Sequence, residues 1–272
     1  MRLAILADIH GNLPAFEAAL RHLSTQRPDQ VLLIGDILNG APDSAQCWQL
    51  AQSLNCPILG GNHERYVALY DTPQADPLWS TEQFAPLQWT VAQFSETERQ
   101  AMRSLPALLR LPGLPDLLLV HASARSDHDL IVHYTPEPHL AEMFAGVSER
   151  WVVRGHNHTC LVRPWERGTI ITCGSLGLPL DGNPTAQYLL LEQAKAGGWC
   201  IQHQSVPYDL QAVTQRFEGS GYLKAAGPMA RLYLREILTG SPQIVPFLRA
   251  YSRWKKLGDI SLSAAFERFL VF

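Results

Sequence analysis

Five short stretches, far apart along the 272 residues, each place metal-ligand side chains directly after an apolar, strand-like run. Asp8-Ile9-His10-Gly11-Asn12 follows 3–7, Gly35-Asp36 follows 31–34, and Gly61-Asn62-His63-Glu64 follows 57–59. His121 follows 117–120, and Gly155-His156-Asn157-His158 follows 151–153. If those runs are neighbouring strands, every donor emerges at the same edge. The chain must then fold so that loops distant in sequence meet around one point.

The rest of the pattern supports strands layered with helices. After the strand 3–7, residues 13–23 carry Phe16, Ala19, Leu20 and Leu23 at helical spacing behind Pro14. A strand at 31–34, a helix at 44–54 with Ser44 as its cap and a strand at 57–59 follow. From about 71 to 112 the pattern becomes a helical insertion bearing Trp79, Phe84, Trp89 and Phe94, whose spacing favours core packing over stacking on a nucleobase. Strands are expected again at 116–120, 151–154, 169–173, 186–191 and 199–206. Gly182-Asn183-Pro184 and Gly197-Gly198 stand between the last three as hairpin turns would. From 210 onward the chain reads as helical. This predicts one domain over 1–208, with the insertion at about 71–112, and a helical C-terminal extension over 209–272 packed on it.

A formal net charge of −3 lacks the basic surplus of a general nucleic-acid binder, so long nucleic acids are disfavoured as partners. No apolar run approaches the roughly 20 residues that span a bilayer, so no membrane is expected. Five cysteines without a CxxC pair, and Asp8 arriving too early for a secretory signal, point to the cytoplasm. Oligomeric state leaves no signal in the sequence.

Asp8 and Asp36 offer carboxylates, Asn62 an amide oxygen, and His10, His121, His156 and His158 imidazoles. Mixed nitrogen and oxygen donors without thiolate suit Mn, Fe, Co, Ni or Zn better than Ca. Seven donors exceed the needs of one ion that must also hold water and substrate, so two ions with a bridging carboxylate are expected. Such a pair, roughly 3.5–4 Å apart, can hold a hydroxide and clamp a phosphoryl group during in-line displacement. His63, on the same Gly-rich turn as Asn62, is the candidate to protonate or stabilise the leaving oxygen. Asn12, at the end of the first motif, and Arg125, whose guanidinium can clamp phosphate oxygens, are the candidate substrate contacts.

The order D-x-H, G-D, G-N-H-E, H and G-H-x-H strongly resembles the calcineurin-like metallophosphoesterase superfamily, over roughly residues 1–206. His121-Ala122-Ser123, Gly174-Ser175-Leu176-Gly177 and Asp181-Gly182-Asn183-Pro184 look most like its small bacterial phosphodiesterases. The resemblance implies a four-layer α/β/β/α sandwich of two mixed sheets with a dinuclear site at the strand ends. It implies that Asp8, His10, Asp36 and His158 hold one metal and Asp36, Asn62, His121 and His156 the other, with Mn the foremost ion. It further implies that His63 acts beyond the metals and that Glu64 orients it. The expected activity is hydrolysis of a small phosphoester, a diester in preference to a monoester. A non-catalytic metal-binding scaffold of the same fold and a nuclease are the alternatives.

Overall fold

The computed structural model describes residues 1–195 and 197–271. The chain opens with β1 (Arg2–Leu6), α1 (Leu13–Gln26), β2 (Gln30–Ile34), α2 (Ser44–Ser53), β3 (Ile58–Leu59) and α3 (Asn62–Leu69). Two tight turns of helix precede α4 (Ala85–Val91) and α5 (Glu96–Arg103), the latter opened by a Ser95/Glu98 capping box. Next come β4 (Leu108–Arg110), β5 (Leu117–Val120), α6 (Glu137–Met143), β6 (Trp151–Arg154), β7 (Cys160–Trp165) and β8 (Gly168–Cys173). β9 (Ala186–Gln193) and β10 (Trp199–Val206) lead to α7 (Leu210–Gly219), α8 (Tyr222–Ala225), α9 (Gly227–Thr239), α10 (Ile244–Leu257) and α11 (Leu262–Leu270). No helix among the described residues is long and apolar enough to cross a membrane.

The strands form two five-stranded mixed sheets, ordered β10-β9-β1-β2-β3 and β4-β5-β6-β8-β7. β1, β2, β5 and β6 are apolar at nearly every position because both faces of each sheet are covered there. Leu3, Ile5, Leu32, Ile34 and Leu189 meet Leu117, Leu119, Val153 and Ile171 between the sheets. The alternate residues of the first sheet, Ala4, Leu6 and Leu33, pack under Phe16, Ala19 and Trp48 of α1 and α2. Those of the second, Leu118, Val120, Val152 and Ile170, pack under Leu140, Met143 and Phe144 in and beside α6. These are the four layers of the expected sandwich.

In the first sheet β1, β2 and β3 run parallel, and in the second β5, β6 and β8 do. Parallel strands bring their carboxyl ends to one edge, which is where open α/β sheets place ligands. The five motifs follow β1, β2, β3, β5 and β6.

Three local expectations differ from the structure. Residues 108–110, inside the expected helical insertion, form β4, an edge strand paired with β5; three residues carry no period to read. β7 was not among the expected strands; it holds Pro164, whose missing N–H is tolerated because β7 lies at the sheet edge. Gly182-Asn183-Pro184 is no hairpin turn: it carries the chain from β8 in one sheet to β9 in the other. Gly197 and Gly198 do stand between an antiparallel pair, β9 and β10.

The insertion aromatics are structural: Trp79 and Phe94 lie in the core, and the Trp89 indole N–H donates to the Pro42 carbonyl (3.2 Å). Val213, Phe217, Tyr222 and Ala230 of α7–α9 pack on Ala41 and Leu178. The Tyr222 hydroxyl also donates to the Gly40 carbonyl (2.8 Å), so these helices brace the loop that carries Asp36.

Candidate metal centre

The loops that carry the donors bend the moment their strands end. Asp8, His10, Asp36, His156 and His158 all adopt left-handed backbone, with φ of 57°, 51°, 53°, 69° and 58°. Side-chain-bearing residues populate this region rarely, at about 1–3 kcal/mol each in unfavourable cases, and such strain clusters at functional sites. Backbone bonds between adjacent loops hold it: Asp8 N to Gly35 O (3.1 Å), His10 N to Asp36 O (2.9 Å) and Gly155 N to His121 O (2.9 Å). Close approach explains two glycines. A Cβ on Gly35, itself at φ +92°, would stand 2.7 Å from His121 Nδ1, and one on Gly61 would stand 2.6 Å from Asp36 N.

Donor atoms of Asp8, His10, Asp36 and His158 lie within 4.8 Å of one another, as do those of Asp36, His121 and His156. Asp36 belongs to both groups. The Asn62 amide oxygen joins the second, 3.1 Å from His121 Nε2, 3.1 Å from His156 Nδ1 and 3.3 Å from Asp36 Oδ2.

The hydrogen bonding of these groups fits cations. His10 Nδ1 donates to the Asn39 carbonyl (2.6 Å) and His121 Nδ1 to the Ile34 carbonyl (2.9 Å), which leaves each Nε2 of a neutral ring a bare lone pair. The lone pair of His10 faces His158 Nε2 at 2.9 Å, while His121 Nε2, where an ion would displace the proton, lies 3.2 Å from Asp36 Oδ2 and 3.1 Å from Asn62 Oδ1. The Asn62 oxygen itself sees only acceptors, and His158 Nδ1 is buried without a partner. Acceptors converging on acceptors repel unless a proton or a cation sits between them, or unless the Asn62 amide is turned to donate.

Charge balance points the same way. Burial, with His63 nearby, lowers the His10 pKa to about 4, and burial beside His121 lowers that of His156 to about 3, so both rings are neutral ligands at pH 7. Burial, reinforced by Asp36, raises Asp8 to about 8. For Asp36 burial is outweighed by His121 and His63, which hold its carboxyl well below the usual range. The same carboxylate overcomes burial at His121 and lifts it to about 9. Two crowded carboxylates that disturb each other through protein are what a divalent ion would relieve.

His63, at the second position of α3, points at the same centre: its Nε2 is 3.8 Å from Asp36 Oδ2 and its N–H donates to Asp36 Oδ1 (2.9 Å). The Asn39 amide donates to His63 Nδ1 (2.7 Å), so His63 carries its proton on Nε2, facing the centre. Asn39 thus orients two histidines at once, one by its carbonyl and one by its side chain. Nothing in the sequence marked it, although it lies three residues beyond Asp36.

Glu64 does not orient His63. Its Oε2 accepts the N–H groups of Asp36 and Gly61 (both 2.8 Å), and its Oε1 those of Ile37 (2.8 Å) and Leu38 (3.3 Å). A buried carboxylate must find donors, and four backbone amides were nearer than the imidazole. It brackets the Asp36 loop against the start of α3. Asn12 is engaged within the protein: its oxygen caps α1 at Ala15 N (3.2 Å) and its amide donates to the Gly177 carbonyl (2.8 Å). Arg125 pairs with Asp129 (2.9 Å) and Glu142 (3.5 Å) in the wall of a neighbouring cavity.

Arg154, read from the sequence only as the end of a strand, is fully buried. Its guanidinium donates to the Ala122 carbonyl, Asn157 Oδ1 (2.7 Å), Thr172 Oγ1 (3.3 Å) and the Asp129 carbonyl (2.7 Å). It therefore ties the segment after His121 to the residue between His156 and His158. Arg65 and Asp127 form a second tie, with Arg65 Nη2 2.9 Å from Asp127 Oδ1.

Known proteins share this fold. A metallophosphoesterase from Sphaerobacter thermophilus superposes with a TM-score of 0.69 at 22% identity, over 88% of this chain and 100% of that one. PH1004 from Pyrococcus horikoshii OT3 superposes at 0.72 and 20% identity, over 89% and 99%. In sequence, the uncharacterized protein MJ0912 of Methanocaldococcus jannaschii is 22% identical over 231 residues, 79% of this chain and 90% of that protein. Residues 1–196, which hold both donor groups and His63, match the calcineurin-like phosphoesterase superfamily domain, and the chain belongs to that superfamily.

Proposed function

We propose that this protein is a dinuclear metal-dependent phosphoesterase that hydrolyses a small phosphodiester in preference to a monoester. The observation that carries this reading is the pair of buried donor groups sharing Asp36, with a histidine N–H aimed at the same point. When bound, two divalent ions supply Lewis-acid polarisation of a phosphoryl group and lower the pKa of water. Asp8, His10, Asp36 and His158 hold one ion, and Asp36, Asn62, His121 and His156 the other. Two carboxylates, one amide and four imidazoles suit Mn, Fe, Co, Ni or Zn, and we take Mn first. Asp36 is kept ionised by the imidazoles around it and aimed by the His63 N–H of α3. His63 Nε2–H is placed to donate to the leaving oxygen as the ester bond breaks.

The preference for a diester follows from charge. Arg65, next to Glu64 in the chain, is taken up by Asp127, and Arg154, next to Gly155, by protein oxygen atoms, so neither is free to meet a monoester's second negative charge. The cysteines among the described residues are all free thiols, which suits a cytoplasmic setting.

The test is direct. Protein stripped by chelator and reloaded with Mn should hydrolyse bis-p-nitrophenyl phosphate, and Asp36→Asn should abolish turnover. Protein that binds two ions yet cleaves no ester, across diesters and monoesters, would overturn the reading.

A further inference from the structure

A cavity of about 700 Å3 lies against the flank of the donor cluster, walled in part by Gly61 and His121. It falls within the roughly 300–1,000 Å3 typical of small-molecule sites. The cluster can fix a phosphorus atom but offers no surface for the groups esterified to it; the cavity does. Leu69 from α3, Met102 from α5 and Leu105 from the segment leading to β4 give it an apolar side. Ala68, Ala107 and Ala124 keep it open, since longer side chains there would fill it. Arg65, Arg103 and Arg125 line it with guanidinium groups. Arg103 places Nε on the Ala68 carbonyl and Nη1 on Gln100 and near Glu96 (3.6 Å), so its planar head is held in position with Nη2 left to meet a ligand. With Arg65 and Arg125 paired to Asp127 and Asp129, an apolar side facing the one planar head of Arg103 suits a heteroaromatic ring joined to a sugar phosphate, because the ring packs on Leu and Met while its polar edge takes N–H donors.

We propose that this cavity seats the nucleoside of a nucleotide diester, so that the enzyme's substrates are nucleoside-bearing phosphodiesters. This rests on the phosphoesterase reading above. It is tested with two esters of equal charge and identical leaving group, thymidine 5′-(p-nitrophenyl phosphate) and methyl p-nitrophenyl phosphate, on the Mn-loaded protein. The nucleoside ester should be favoured at least tenfold in kcat/KM. Leu105→Trp, which fills the seat, should bring the ratio near one while leaving the methyl ester within twofold. Ala107→Trp, at an exposed position of the same wall, serves should the first variant misfold. Equal kcat/KM for the two esters in the native protein, or a preference untouched by either filling variant, would overturn the proposal. Thymidine 5′-monophosphate binding, followed by calorimetry in native and filled proteins, separates the two readings. If neither ester is cleaved the phosphoesterase reading falls, whereas nucleotide binding that is absent, or indifferent to the filling variants, refutes the seat by itself.

Discussion

Glu64→Gln is nearly isosteric, so it perturbs hydrogen bonding without opening a cavity. The native carboxylate accepts four backbone N–H groups, two on each oxygen. In the variant one oxygen becomes an NH2, and whichever way the amide turns, two backbone donors face another donor. Hydrogen bonds to charged groups contribute about 1.5–3 kcal/mol each, so losing two removes about 3–6 kcal/mol. Burial, the largest influence on this carboxyl, raises its pKa to about 7, so relief from holding a buried charge offsets part of that loss. The net expectation is about 3 kcal/mol, or about 6–12 °C in Tm for a chain of this size. Because the bracket holds the Asp36 loop, Mn affinity should fall with stability. Thermal unfolding with and without Mn, and a calorimetric titration, give both numbers. A Tm within about 1 °C of native with full Mn binding and slowed turnover would refute the bracket and restore Glu64 as the partner of His63.

Other outcomes follow from the same geometry. His63→Ala should keep its ions, checked by metal analysis, yet lose about 100-fold or more in kcat. Asn39→Ala should lose less, and the double variant no more than His63→Ala alone, because Asn39 acts on turnover through that ring; additive losses would refute the coupling. Glu236 is buried, accepts the N–H groups of Gln243 (2.8 Å) and Ile244 (3.0 Å) at the start of α10, and is raised by burial to about 7. A carboxyl whose folded pKa exceeds its unfolded 4.5 binds more protons when folded, so its stabilisation is full below pH 4.5 and is lost as pH rises through 7. The Tm advantage of Glu236→Gln over the native protein should therefore grow between pH 5 and 8, by a free energy of about 3 kcal/mol at most. Arg154→Met leaves buried oxygen acceptors without a donor and should cost about 3 kcal/mol in urea unfolding, with Arg154→Lys recovering only part.

The donor set was legible because chemistry restricts it. Only a few side chains can ligate a cation, and each stands directly after an apolar run that a doubly covered sheet requires. The seven donors and a bridging carboxylate were expected from the residues, whereas the division into two groups, Asp36 as the shared member and the four layers were implied by the family resemblance. Glu64 and Asn12 were assigned by proximity in sequence to the motifs, and the partners they take in the fold lie elsewhere. A carboxylate or amide pairs with whichever partners stand nearest in space, and here these were the N–H groups of a loop 27 residues away and, as an acceptor, the Gly177 carbonyl, 165 residues on.

What residue identity determined, then, is which atoms can bind metal and which segments must be strands, since both follow from side-chain chemistry and burial read locally. What tertiary structure decided is orientation: the proton on His63 Nε2, the guanidinium of Arg154 tying two loops, the division of strands between two sheets, and the cavity beside the cluster. Each depends on partners that only folding brings within hydrogen-bonding or van der Waals range, where interactions fall off over a few ångströms and carry no trace along the chain.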